Sequence, residues 1–139
     1  IEKKMKETIQ GLQVQYEFSF EIESKLPEGK GYYDIPCILE VMDNLLSNAL
    51  AYAKTRINLV LEIEENQLIL YVKDDGKGFS KEELFMATRP YYTGRGDSIE
   101  HFGIGLTISK LLCEKHGGNL HLGNSTKGGA IIAASFLVL

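Results

Sequence analysis

Three groups of residues in this chain have types and spacings that could do chemistry: Asn44 with Asn48, the turn Asp74-Asp75-Gly76-Lys77-Gly78-Phe79, and the turn Gly103-Ile104-Gly105-Leu106. Asn44 and Asn48 are four apart, so on a helix they share one face. A neutral amide oxygen there can ligate magnesium without adding charge, and magnesium needs few protein ligands when phosphates and waters complete its octahedron. A solvated polar helix edge is the other reading, although asparagine is a mediocre helix former and two in mid-helix ask for a reason. Asp74 ends a strand pattern before Gly76 and Gly78. A carboxylate there can accept a hydrogen bond from the exocyclic amine of adenine, and the glycines let backbone approach the base. Asp-Gly is equally at home in a purely structural turn. Gly103 and Gly105 precede a helix, whose free N–H groups and dipole suit an anion such as a phosphate chain. The alternative is a flexible joint at the end of a long loop.

The elements that must position these residues are readable from periodicity. Glu2 to about Gln13 has Met5, Ile9 and Leu12 at helical spacing. From Gln15 the period becomes two: Tyr16, Phe18, Phe20 and Ile22 alternate with polar residues, as in a strand with one wet face. A turn over residues 27–31 leads to a short Tyr32-Tyr33 strand. Asp34-Ile35-Pro36 opens a helix running to about Ala53, with Ile38, Leu39, Met42, Leu45, Leu46, Ala49, Leu50 and Ala53 on its apolar face. Ile57 to Glu64 and Gln67 to Lys73 read as a hairpin about Glu65-Asn66. Ser80 is an expected N-cap, with Glu82 and Glu83 in the first turn of a short helix.

Residues from about Met86 to Phe102 have no useful period, and a loop that long in a compact domain is functional or disordered. A helix from near Gly103 to the Gly117-Gly118 stop follows, with Ile104, Ile108, Leu111 and Leu112 as its expected core stripe. Strands near Asn119 to Asn124 and Ala130 to Leu139 close the chain. The expected architecture is α+β: a two-layer sandwich whose mixed sheet is covered by helices on one face.

At 139 residues the chain fits one domain with a single core. The net charge is −4 and no long basic run occurs, which argues against nucleic-acid binding through a cationic face. Cys37 and Cys113 follow no metal or redox spacing and read as reduced, intracellular thiols. The three histidines, His101, His116 and His121, suggest no metal site. No stretch is long and apolar enough to cross a bilayer, and no direct membrane contact is expected. The chain starts at Ile1 rather than Met and is expected to be a piece of something longer.

Taken together, the motifs resemble the ATP-binding superfamily of DNA gyrase, the heat-shock chaperone, the mismatch-repair ATPase and the sensor histidine kinases, the histidine kinase catalytic domain above all. The stretch from Glu40 to Ala49 is similar to that family's asparagine box, Asp74 to Phe79 to its first glycine box and Gly103 to Leu106 to its second. Phe85 with Pro90-Tyr91-Tyr92 resembles the aromatic box, and Gly128-Gly129-Ala130 the closing glycine turn. The resemblance implies a Bergerat-type fold with a mostly antiparallel sheet, about three helices on one face and a mobile nucleotide lid over 86–102. It implies ATP and Mg2+ as ligands. Asn48 would bind the metal, Asn44 would support the phosphates, and both would be catalytic. Asp74 would hold the adenine amine with Tyr52 against the ring and Gly76 and Gly78 beside it. Gly103, Ile104, Gly105 and Leu106 would bind phosphates, and Tyr92 would join from the aromatic box.

Within that superfamily the hydrolysing members resemble one another in a glutamate four residues before the magnesium asparagine, where it activates water. Asn44 occupies that position and cannot act as a base, while Glu40 lies a further turn away. A neutral imidazole has a free lone pair and needs no base. The resemblance therefore implies transfer of the ATP γ-phosphoryl group to a histidine, for relay to a response regulator. None of the three histidines precedes an acidic residue as family acceptors do. The acceptor is expected on a separate dimeric helical domain before Ile1, with residues 1–14 as the connecting helix and 15–139 as the catalytic domain. The parent is expected to be a bacterial inner-membrane sensor with this domain in the cytoplasm. Ala51 stands where the family often has a lysine or arginine, and Ala130 where a hydroxyl residue is common. A non-catalytic nucleotide-binding module and a slow ATPase are the alternatives.

Overall fold

The computed structural model describes residues 2–15, 19–25, 34–86 and 105–138. In chain order these form α1 (Glu2–Gln15), β1 (Ser19–Lys25), α2 (Ile35–Tyr52), β2 (Arg56–Glu64), β3 (Gln67–Asp74), α3 (Lys81–Met86), α4 (Gly105–Lys115), β4 (Leu120–Asn124) and β5 (Ala130–Leu137). Among the described residues the sheet has five strands in the order β1-β2-β3-β5-β4. β1 runs parallel to β2, and the other neighbours are antiparallel. The parallel step needs a crossover, and α2 supplies it. The expected mixed, mostly antiparallel sheet with helices on one face is the fold found. The expected Tyr32-Tyr33 strand, the start of the first strand at Tyr16 and the loop over 87–102 lie outside the described residues.

Strand alternation explains the two faces. Leu59, Val72, Ile132 and Leu122 form one cross-strand row, and Leu61, Leu70, Ala134 and Leu120 the next. These side chains point into the core with Cys37, Ile38, Val41, Met42, Leu45, Leu46 and Ala49 of α2 and with Met5 and Ile9 of α1. Asp74 is the next inward position after Leu68, Leu70 and Val72, so the period of two carries a carboxylate onto the helix-covered face at the end of β3.

Local signals set the ends of the elements. Asp34 caps α2: its Oδ1 accepts from the Cys37 N–H at 2.9 Å, a contact worth about 1 kcal/mol. Glu65 and Asn66 have φ of 51° and 64°, as a two-residue hairpin turn matched to strand twist requires. Ser80 and Glu83 form a reciprocal capping box, the Glu83 N–H donating to Ser80 Oγ (3.1 Å) and the Ser80 N–H to Glu83 Oε1 (2.9 Å). α4 stops where Gly117 turns to φ +76° and the Gly118 N–H reaches the Cys113 carbonyl at 2.8 Å.

The buried stripe of α4 differs from the expected one. Leu106, Ser109 and Cys113 face inward, Leu112 is half-buried, and Ile108 and Leu111 are 37% and 62% exposed. The helix carries apolar residues on two adjoining faces, and the face that packs on α2 holds a serine. A pattern of apolar residues alone selects the other face. Ile104 lies outside the described residues.

Candidate functional site

α2 places Asn44, Asn48 and Tyr52 in one row, each a helical turn from the next, about 12 Å from first to last at roughly 1.5 Å per residue. Asn48 is 8% exposed, and Asn44 and Tyr52 are half-buried. Asparagines so sheltered are not a solvated helix edge, and the row borders two other segments.

At its first end the row meets α4. Asn44 Nδ2 donates to Ser109 Oγ at 3.3 Å, and Ser109 Oγ donates to the Gly105 carbonyl at 2.9 Å. Asn44 is thereby tied to the first turn of the helix whose N-terminal N–H groups were expected to hold phosphate. Gly105 is exposed, and among the described residues a Cβ there would meet nothing within 4 Å. Leu106 is buried in the core, so its side chain anchors the turn and only its backbone can face a ligand.

At its other end the row meets the Asp74–Phe79 turn. A Cβ on Gly76 would collide with the Tyr52 carbonyl oxygen, so only glycine lets the turn close against the end of α2. Asp74 Oδ1 accepts from the N–H groups of Gly76 (2.9 Å) and Ala130 (3.3 Å), which fixes the carboxylate at the end of the sheet. Asp75 points the opposite way. Its carboxylate accepts from the Lys54 and Thr55 N–H groups and the Thr55 hydroxyl at 2.8–3.2 Å. Burial acts to raise its pKa, but the donors from Arg56, Thr55 and Lys54 outweigh it and hold the group at about 2.

Asn124 supports the turn from beneath. Its Oδ1 accepts from the Phe79 N–H at 2.7 Å, and its Nδ2 donates to the Phe79 carbonyl at 2.8 Å. This pair holds Phe79 as a strand neighbour would, and keeps Gly78 at φ +77°. Sequence reasoning missed Asn124, Ser109 and Asp75. An asparagine ending a strand before a Ser-Thr-Lys-Gly-Gly turn gives no local signal of a partner 45 residues away.

The other named positions fall as follows. Tyr92, Gly103 and Ile104 lie outside the described residues. Phe85 is 71% exposed. Ala51 and Lys54 are exposed, and Ala130 is buried with its N–H on Asp74. Ser125 Oγ accepts from the Lys127 N–H at 3.2 Å inside its own turn. Among the described residues no group of three or more His, Cys, Asp or Glu could hold a metal. A magnesium ion here would draw its protein ligands from neutral amides and take the rest from phosphates and water, which the sheltered Asn44 and Asn48 allow. A 430 Å³ hollow bordered by Glu64, Gln67, Tyr71 and His121 lies on the outward-pointing side of the sheet, away from this row. Its acidic border does not suit a phosphate chain.

Comparison with known proteins adds independent findings. The family profile described as histidine kinase-, DNA gyrase B-, and HSP90-like ATPase matches residues 33–138. The sensor histidine kinase YvrG of Bacillus subtilis (strain 168) is 36% identical over 100 residues, 69% of this chain and 17% of that protein. The sensor histidine kinase SpaK of Bacillus subtilis is 34% identical over 116 residues, 81% of this chain and 25% of that protein. The chain thus spans about a fifth of the length of the curated relatives it matches. Among solved structures, the catalytic domain of histidine kinase ThkA superposes with a TM-score of 0.82 at 19% identity, covering 97% of this chain and 88% of that one. The mycobacterial sensor histidine kinase MprB superposes with a TM-score of 0.74 at 20% identity, covering 96% and 91%.

Proposed function

The chain belongs to the histidine kinase-, DNA gyrase B- and HSP90-like ATPase family, and from that premise we propose that it is the ATP-binding catalytic domain of a two-component sensor histidine kinase. One observation carries the reading. A single face of α2 runs from the first turn of α4, through Asn44 and Asn48, to the Asp74–Gly76 turn. Its length is of the order of a nucleotide laid from purine amine to terminal phosphate, and its ends offer a carboxylate and a helix N-terminus.

In this reading Asp74 accepts from the adenine amine, its carboxylate held by the Gly76 and Ala130 N–H groups. Tyr52 lies against the base. The amides of 103–106 receive the phosphates. Asn48 ligates magnesium with Asn44 beside it, and the ion supplies charge neutralisation for the transferring group. Asn44, not a carboxylate, stands in this row one turn before Asn48; Glu40 is exposed a full turn beyond it, and Asp43 is exposed on the neighbouring side of α2. That favours transfer to an imidazole over activation of water. The acceptor histidine belongs to a helical dimerisation domain of the parent protein, reached through α1, and the phosphoryl group passes on to a response regulator. The domain works in the cytoplasm of a bacterial sensor, with 86–102 as the lid over the nucleotide. No helix among the described residues is long and apolar enough to cross a membrane.

The test combines calorimetric titration of the chain with an ATP analogue, with and without magnesium, and labelled transfer in a chain extended at its N-terminus. Magnesium-dependent binding and a labelled histidine are expected. Bound nucleotide with no transfer in any extended form would overturn the kinase reading in favour of a non-catalytic nucleotide-binding module. The exposed Ala51, which offers no cation to the phosphates, favours that second reading.

A further inference from the structure

Ser109 occupies the inward stripe of α4, 0% exposed, among apolar neighbours. A hydroxyl has one hydrogen to give. The Gly105 carbonyl, 2.9 Å away, can only accept, so that hydrogen points at Gly105. Ser109 Oγ is then left with lone pairs toward Asn44, and Asn44 must present its NH2 group at 3.3 Å. Turning the amide over would set two acceptor oxygens against each other in a site closed to water, which is unfavourable. The direction of the amide thus follows from hydrogen-bond polarity.

We propose that Ser109 is a positioning residue for Asn44: it fixes the amide so that Oδ1, an acceptor, is the end turned away from α4 and available on the nucleotide side of the row. The inference rests on reading that row as the metal–phosphate side of the cleft. An acceptor there suits magnesium or its water shell, whereas an NH2 group would repel the ion. The hydroxyl also ties the first turn of α4 to α2, so the phosphate-binding turn and the magnesium-side amide are set by one oxygen.

Thr and Val have the same shape and differ only in the hydroxyl, so Ser109→Thr and Ser109→Val isolate the effect, with Ser109→Ala as a variant that adds no volume. Two measurements on the whole chain decide it. First, in the nucleotide-free chain, one of the two Asn44 side-chain amide protons should be shifted and protected from exchange in wild type and Thr, and should lose that shift and protection in Val and Ala. Second, in titrations with an ATP analogue, the affinity gained on adding magnesium should fall roughly three- to tenfold in Val and Ala and persist in Thr, the loss expected for one ordinary hydrogen bond. Thr and Val indistinguishable in both measurements, or, should both unfold, Ala indistinguishable from wild type, would overturn the proposal. Absence of nucleotide binding by the wild type would instead remove the functional reading, and the amide resonances alone would then decide whether Ser109 orients Asn44.

Discussion

Thr55 meets Asp75 twice, through its backbone N–H at 3.1 Å and its hydroxyl at 2.9 Å, and this fastens the end of α2 to the turn that follows β3. The Lys54 N–H adds a third donor at 2.8 Å. The carboxylate neighbouring Asp74 thus holds the turn in place while Asp74 itself points to the helix-covered face of the sheet.

That arrangement has an acid signature. The folded pKa of Asp75 is about 2 against an ordinary 3.8. A depressed carboxylate contributes stability that is present above 3.8 and is lost as pH falls toward 2. Asp75→Ala should cost about 1 kcal/mol at neutral pH, given the solvent exposure of the pair, and should remove that part of the acid-induced loss. Denaturant titrations of both proteins at pH 7, 4 and 2.5 check this. Parallel pH profiles would contradict it.

Asp74→Asn should abolish adenine nucleotide binding with the fold retained. Asn keeps an oxygen for the Gly76 and Ala130 N–H groups, which leaves its NH2 group, a donor, where the amine needs an acceptor. A loss of at least about tenfold in affinity is expected for a hydrogen bond to a charged group. Calorimetry gives the affinity and thermal unfolding the fold. An unchanged affinity would refute the adenine role.

Asn48→Asp should impair magnesium-dependent transfer, because the added negative charge near the phosphates changes metal and nucleotide affinity together. Asn48 is 8% exposed, so the variant also places a charge in a sheltered site and should lose about 1–3 kcal/mol of stability. Transfer assays across a magnesium series, with unfolding curves beside them, separate the two effects.

Asn124→Ala should loosen the first glycine turn. It removes the two bonds at 2.7 and 2.8 Å that hold Phe79, at a cost of about 1–3 kcal/mol. Hydrogen exchange at the Phe79 amide should accelerate more than at Val72 in the middle of β3. Uniform acceleration at both would point to global destabilisation instead.

Much of this arrangement is legible in the sequence. The alternation of Leu68, Leu70, Val72 and Asp74 places the carboxylate on the covered face, and the spacing of Asn44 and Asn48 puts both on one side of α2. The Asp34 cap, the Ser80 cap and the Gly117 stop act within a few residues and are strong local signals. What was hidden depends on distant partners. Ser109 satisfies its hydroxyl on its own helix and on Asn44, 65 residues away, so a polar residue takes a core position that periodicity assigns to Ile108 and Leu111. Asn124 and Asp75 likewise act on segments they do not adjoin in the chain.

The last hairpin carries a biosynthetic consequence. Asn124 and the Ala130 amide, which steady the turn around Asp74 and Phe79, both come from the final strands. A nascent chain emerging from the ribosome has made α2, β3, the Asp74–Phe79 turn and α4 before the strands that support that turn. The Asp74–Phe79 turn therefore reaches its final form only once β4 and β5 have paired beside β3.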